Sequence, residues 1–217
     1  MGRGHKNSKA IFLLWLYFVS FAAGYNLLNA KYLGASNPTG RTIVLYPIGN
    51  VEGWVLDALE KDLEKKFDVR IKRVNSIEVP RDAFNPARGQ YLAVSFLKKL
   101  RGLLRPANHD KVLSVTDVDL YASGLNFVFG EAESGRQCAV ISLTRLRQSF
   151  YSLPENKSLF IERAKKEAVH ELGHVWGLEH CPDPLCVMHF SNSLSDTDKK
   201  SSSFCPKCRA RLEKLMK

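Results

Sequence analysis

The run His170-Glu171-Leu172-Gly173-His174, with Gly177 and His180 at fixed offsets after it, constrains this chain more than any other feature. On a helix, residues four apart lie one above the other, so the rings of His170 and His174 can share one ion. Ala164, Ala168, Leu172 and Val175 fall on the opposite side, where they form the apolar stripe that docks the helix on a core. Gly177 stands where helices commonly end in the left-handed conformation, and the reversal lets His180 approach from another direction. Three neutral nitrogen ligands with one open position are the pattern of a catalytic zinc. Glu171 sits beside the pair without being a ligand, placed to act as general base toward water.

Four of the five cysteines follow closely, as Cys181, Cys186, Cys205 and Cys208, the last two forming a Cys-x-x-Cys knuckle. Two such pairs suit a tetrahedral structural zinc, which would pin the chain just after His180. Lys199, Lys200, Lys207 and Arg209 lie near in sequence and would offset the charge of four thiolates. The alternative is two disulfides, which an extracytoplasmic location would permit. Cys138, alone in an apolar run, reads as a core residue.

The rest of the chain is long enough for one well-packed domain. A strand over 43–48, a helix over about 51–67 and a strand over 69–74 predict a parallel pair with a helical crossover. A second amphipathic helix is expected over about 89–104, and further strands over 111–115, 126–129 and 137–143. The fold class is therefore α/β, a mixed twisted sheet with helices packed on it. Asp117 and Asp119 read as hydrogen-bonding residues of a strand-end turn, His109 as a turn residue and His189 as structural or cleft-lining.

The amino terminus differs in kind. Residues 1–9 are polar and basic, 10–28 carry no charge, and 29–42 form a polar linker before the domain of residues 43–217. The apolar run is long enough for a spanning helix, and its position after Arg3, Lys6 and Lys9 would leave the catalytic domain extracytoplasmic. Membrane association through residues 10–28 is the expectation, and secretion after signal-peptide cleavage is the alternative. The net charge of +10 comes from scattered Lys and Arg with no aromatic-interleaved stripe, so nucleic acid is not expected as a partner. A monomer acting on a peptide or protein substrate is expected.

The assembled motif, His170-Glu171-x-x-His174-x-x-Gly177-x-x-His180-Cys181 followed by Cys186-Val187-Met188 and Cys205-x-x-Cys208, resembles the archaemetzincin family of zinc metallopeptidases. Arg88-Gly89-Gln90-Tyr91, Thr116-Asp117-Val118-Asp119-Leu120 and Asn126-Phe127-Val128-Phe129-Gly130-Glu131-Ala132 are similar to its sheet segments. The resemblance implies a compact metzincin-like domain with two zinc ions, one catalytic and one held by the four cysteines. It implies that Met188 forms a Met-turn beneath the histidines, and that a strand near 126–129 borders the cleft and could pair with an extended peptide. A zinc-binding module without peptidase activity, or a zinc hydrolase of another amide or ester, are the rival readings. The presence of Glu171 argues against the first.

Overall fold

A computed structural model describes Met1 and residues 40–103 and 111–217. The apolar run of residues 10–28 and His109 lie outside the described residues. No helix among the described residues is long and apolar enough to cross a membrane.

The three inner strands of the central sheet follow from short apolar runs buried on both faces. Its strands β1 (Thr42–Ile48), β2 (Arg70–Arg73), β5 (Lys111–Thr116), β7 (Gly130–Ala132) and β8 (Cys138–Ser142) lie in the order β2-β1-β5-β8-β7. The first four are parallel, and β7 closes one edge antiparallel to β8. Helix α1 (Gly53–Phe67) makes the expected crossover from β1 to β2. Because side chains alternate along a strand, the sheet has two apolar faces. Ile43, Leu45, Leu113, Val115, Ala139 and Ile141 meet α1 and the long helix α3 (Lys157–Val175). Val44, Ile48, Val112, Cys138 and Val140 meet α2 (Ala93–Leu103) on the other side. Cys138 is a fully buried core residue, as its apolar neighbours suggested.

Two expectations are corrected. The second helix begins at Ala93 rather than near 89, because Gln90–Leu92 forms β4 in a small sheet with β3 (Phe84–Asn85) and β6 (Leu120–Tyr121). Residues 126–129 are not a regular strand. They make a single bridge, Val128 to Leu120, and the edge strand starts one residue later at Gly130. Polar side chains explain the difference. Arg88 Nη2 donates to the carbonyls of Leu125 (3.1 Å) and Asn126 (2.9 Å), and Gln90 Nε2 donates to Asn126 as well (3.0 Å). Carbonyls held by side chains are withdrawn from a ladder.

Two short helices finish the chain, α4 (Leu194–Lys199), started by a Ser193–Asp196 capping box, and α5 (Pro206–Leu215).

Candidate active site

Helix α3 is capped by Asn156, whose side chain accepts from Leu159 N at 3.0 Å. Phe160, Ala164, Ala168, Leu172 and Val175 bury its apolar stripe. Its other side is covered too. Arg163, Glu167, His170 and Glu171 are all buried, because the segment after the helix folds back over them.

That fold-back is written in the helix end. Gly177 has φ +93°, its N–H donates to His174 O (2.8 Å), and Leu178 N donates to Gly173 O (2.9 Å). This is a Schellman turn, which only a residue free of the Cβ penalty adopts readily. It returns the Leu178 carbonyl to His174 Nδ1 at 2.7 Å. Further on, Cys181 N donates to Met188 O (2.9 Å), closing a loop that brings the Val187 carbonyl to His170 Nδ1 at 2.8 Å. A carbonyl can only accept, so both Nδ1 atoms carry the proton and both Nε2 lone pairs are free to bind a cation. The two Nε2 atoms lie 3.1 Å apart, and the ligand atoms of His170, His174 and His180 all fall within 4.8 Å of one another. Ring nitrogens at zinc–nitrogen distances of about 2.0–2.1 Å in a tetrahedron lie roughly 3.3 Å apart, so the donor set fits. Burial, with the positive charge of Lys200 behind it, holds His170 well below the usual imidazole range, and burial lowers His174 and His180 as well. Neutral imidazoles are what a metal needs.

Met188 is fully buried under the helix, its sulfur against Gly173 between the two histidines. A Cβ at Gly173 would overlap that sulfur, so the glycine makes room for the Met188 side chain. Gly130 does the same on the opposite wall. A Cβ there would lie 2.6 Å from Glu171 Cγ and 2.7 Å from its Oε1. The first residue of the edge strand is therefore a surface against which the Glu171 carboxyl rests. Burial lifts that carboxyl well above the usual carboxylate range, with Glu167 and Glu131 adding to the effect and Lys200 opposing it.

The cleft in front has a volume of about 540 Å³. The three histidines and Glu171 form its floor, residues 122–132 one wall, and Phe190, Ser191 and Asn192 part of the other. The extended segment 126–129 borders the cleft, although not as a strand. It is braced from behind. Arg145 forks onto Asp119 (2.6 and 2.8 Å) and is sandwiched between Phe127 (4.5 Å) and Phe150 (4.7 Å). Asp119 and Asp117 serve ion pairs, with Arg145 and Arg147, and are not in the cleft. His189 Nδ1 meets the Cys181 carbonyl at 2.9 Å, a structural role.

The thiols of Cys181, Cys186, Cys205 and Cys208 also cluster within 4.8 Å, and none of the cysteines is in a disulfide. Cys181 Sγ and Cys205 Sγ are 3.8 Å apart. Four sulfurs at about 2.3 Å from a tetrahedral zinc would be spaced by roughly 3.8 Å, whereas a disulfide needs about 2.05 Å. The donor set fits zinc and not the disulfide alternative. Backbone hydrogen bonding lowers the Cys205 thiol, while burial raises Cys186 and Cys208. Arg209 lies over the Phe204 ring and holds the Lys66 carbonyl (3.0 Å). Lys200 is a correction to the charge reading. It is fully buried and paired with Glu167 at 3.1 Å, one helical turn before Glu171, so its charge acts on the histidine site. The roles of Gly130, Gly173, Glu167 and Lys200 at this site are not legible in the sequence. Only their positions relative to partners distant in the chain give them meaning.

Comparison with known proteins decides the family. The model of "Peptidase family M54" matches residues 56–214. The chain belongs to this family, the archaemetzincins. It is 49% identical to the archaemetzincin of Pyrococcus furiosus over 181 residues, covering 80% of this chain and 93% of that one. With the archaemetzincin of Methanocaldococcus jannaschii it shares 46% over 171 residues, 79% and 92% of the two chains. The crystal structure of the archaemetzincin from Methanopyrus kandleri superposes with a TM-score of 0.73 at 38% identity, covering 82% of this chain and 96% of that one. That of Archaeoglobus fulgidus, complexed with malonate, gives 0.68 at 39% identity, with 78% and 99% covered. Membership makes this archaemetzincin a zinc metallopeptidase with a mixed α/β fold.

Proposed function

We propose that the chain hydrolyses peptide bonds at the histidine cluster, with Glu171 as general base and a second, structural zinc on the four cysteines. The observation that carries this reading is the convergence of three imidazole donors and a buried carboxyl on one cleft. His170, His174 and His180 would hold the zinc, which would supply Lewis acidity toward water and toward a carbonyl. The chain's own residues do the rest. Glu171, held against Gly130, accepts the proton of the attacking water and passes it to the departing amine. Its surroundings raise its proton affinity, which suits a carboxylate that must hold a proton near neutral pH. The Val187 and Leu178 carbonyls keep the two helical imidazoles in the ligating tautomer. An extended peptide has a partner in the outer edge of β7, whose inner edge is taken by β8 and whose residues line the cleft. The domain works outside the cytoplasm, tethered as a monomer by the apolar run of residues 10–28.

Glu171→Gln tests the mechanism. The variant keeps two zinc ions by elemental analysis and loses at least about 1,000-fold in turnover of a peptide library. Residual activity near wild type would remove Glu171 from the reaction. One zinc in the wild-type chain would remove the second site.

A further inference from the structure

The parallel strands place one end of the domain in register. Thr42 pairs with Arg70, Ile43 with Lys111 and Val112 with Cys138, so the amino-terminal ends of four strands share one end of the sheet. The carboxy-terminal ends of the helices arrive at the same end. Arg70 N donates to Arg41 O (3.1 Å) two residues after α1 and Asp68. Lys111 Nζ donates to the carbonyls of Arg136 (2.8 Å) and Val175 (3.4 Å), the last residue of α3. Gly177, next to it, faces Gly135 and the Leu215 side chain of α5.

This end is rich in cations. Lys65, Arg70, Arg136, Lys214 and Lys217 are exposed on it, and Lys111 is half-buried among them. Of the acids here, Glu133 pairs with Arg101 (3.2 Å), Glu179 pairs with Arg211 (3.5 Å), and Glu64, Asp68 and Glu213 add further negative charge. At the opposite end, by contrast, Glu52, Asp117 and Asp119 match Arg145 and Arg147. Two large apolar side chains also stand out among the cations, Leu103 (45% exposed) and Leu215 (44% exposed). The chain enters the domain here, at Gly40 and Arg41, only eleven residues after the apolar run that ends at Leu28. Eleven residues reach at most about 38 Å.

We infer that this basic end of the domain is a docking face for an anionic lipid bilayer, with Leu103 and Leu215 entering the headgroup layer. Cations and protruding leucines on one face are the two signals that together hold a domain on such a surface, where neither alone is enough. The short connection to an apolar run favours a membrane over a nucleic acid, which would leave the leucines unused. Docking this way leaves the cleft wall at 122–129 on the far side, since that segment packs at the other end of the sheet beside Asp119 and Arg145.

The test uses residues 38–217, so that the apolar run contributes nothing. This body folds alone on the comparison already made: 78% of the chain spans 99% of the A. fulgidus archaemetzincin. Its partitioning is measured by co-sedimentation with vesicles of equal parts phosphatidylglycerol and phosphatidylcholine, and with vesicles of phosphatidylcholine alone. Each basic residue at an anionic surface contributes roughly fivefold in partitioning, so Arg70→Glu/Arg136→Glu/Lys214→Glu lowers binding by about a hundredfold or more. Binding is also lost at high salt. Leu103→Ser/Leu215→Ser weakens binding at constant charge, and circular dichroism verifies that each variant is folded. Absence of binding to the mixed vesicles overturns the inference. So does binding that the charge reversals leave unchanged, or a duplex DNA that competes the body off the vesicles at sub-stoichiometric lipid charge.

Discussion

Gly130→Ala isolates the role of the edge strand in positioning the general base. A methyl group at this position lies 2.6, 2.7 and 2.8 Å from Cγ, Oε1 and Cδ of Glu171. Ordinary carbon contacts are about 3.5–4.0 Å, so the carboxyl must retreat by roughly 1 Å. The atoms that move are the end of a side chain, and overpacking of this kind costs about 1–3 kcal/mol of stability. A misplacement of about 1 Å at a reacting group costs roughly a hundredfold in rate. The variant therefore folds, binds zinc at both sites, and loses about a hundredfold in kcat for a peptide substrate. Thermal unfolding, elemental analysis and steady-state kinetics together check this. A variant that keeps more than a third of wild-type kcat with zinc bound would refute the idea that the strand backbone positions Glu171. Loss of zinc or of the fold would refute the claim that the clash is relieved locally.

Lys200→Met leaves Glu167 buried without its cation, and unfolding by denaturant should show a loss of roughly 3–5 kcal/mol, much of it recovered in Lys200→Met/Glu167→Gln. Burial raises the Cys138 thiol to about 11 in the folded chain. A raised folded value stabilises below the unfolded value near 8.5 and that contribution is lost as pH rises toward 11, so wild type loses about 3 kcal/mol more than Cys138→Ala over this window. Equal pH dependence of the two proteins in denaturant titrations would contradict it. A strong chelator removes one zinc faster than the other, together with activity, because the histidines face an open cleft while three of the four thiol residues are buried. Time-resolved metal release compared with residual activity measures the order.

The histidine cluster was legible because its spacing is dictated by helix geometry and by a turn that needs glycine. His170, His174, Gly177 and His180 fall as that geometry requires. The parallel β1-α1-β2 unit was legible from the switch between period 2 and period 3.6. The cleft wall was not. Asn126-Phe127-Val128-Phe129 has the composition of a strand, but the Leu125 and Asn126 carbonyls at its start answer to Arg88 and Gln90, which lie some 35 residues earlier in the sequence. Lys200 misled for the same reason. Its neighbours in sequence are Lys199 and three serines, five residues before Cys205, and its neighbour in space is Glu167. Local pattern reports which groups share a helix face. It does not report which distant side chain withdraws a carbonyl or neutralises a charge.

The loop closed by Cys181 N and Met188 O joins both metal sites, since His180 precedes it, Val187 within it holds His170, and Cys181 and Cys186 belong to the thiol cluster. Whatever orders one cluster thus lowers the entropy still to be lost in ordering the other. If both clusters hold zinc as proposed, thermodynamic reciprocity would couple the two occupancies: a metal-free thiol cluster would weaken the affinity of the histidines, and an empty histidine site would loosen the thiols by the same factor. Zinc scarcity would then be felt more steeply than two independent sites would allow.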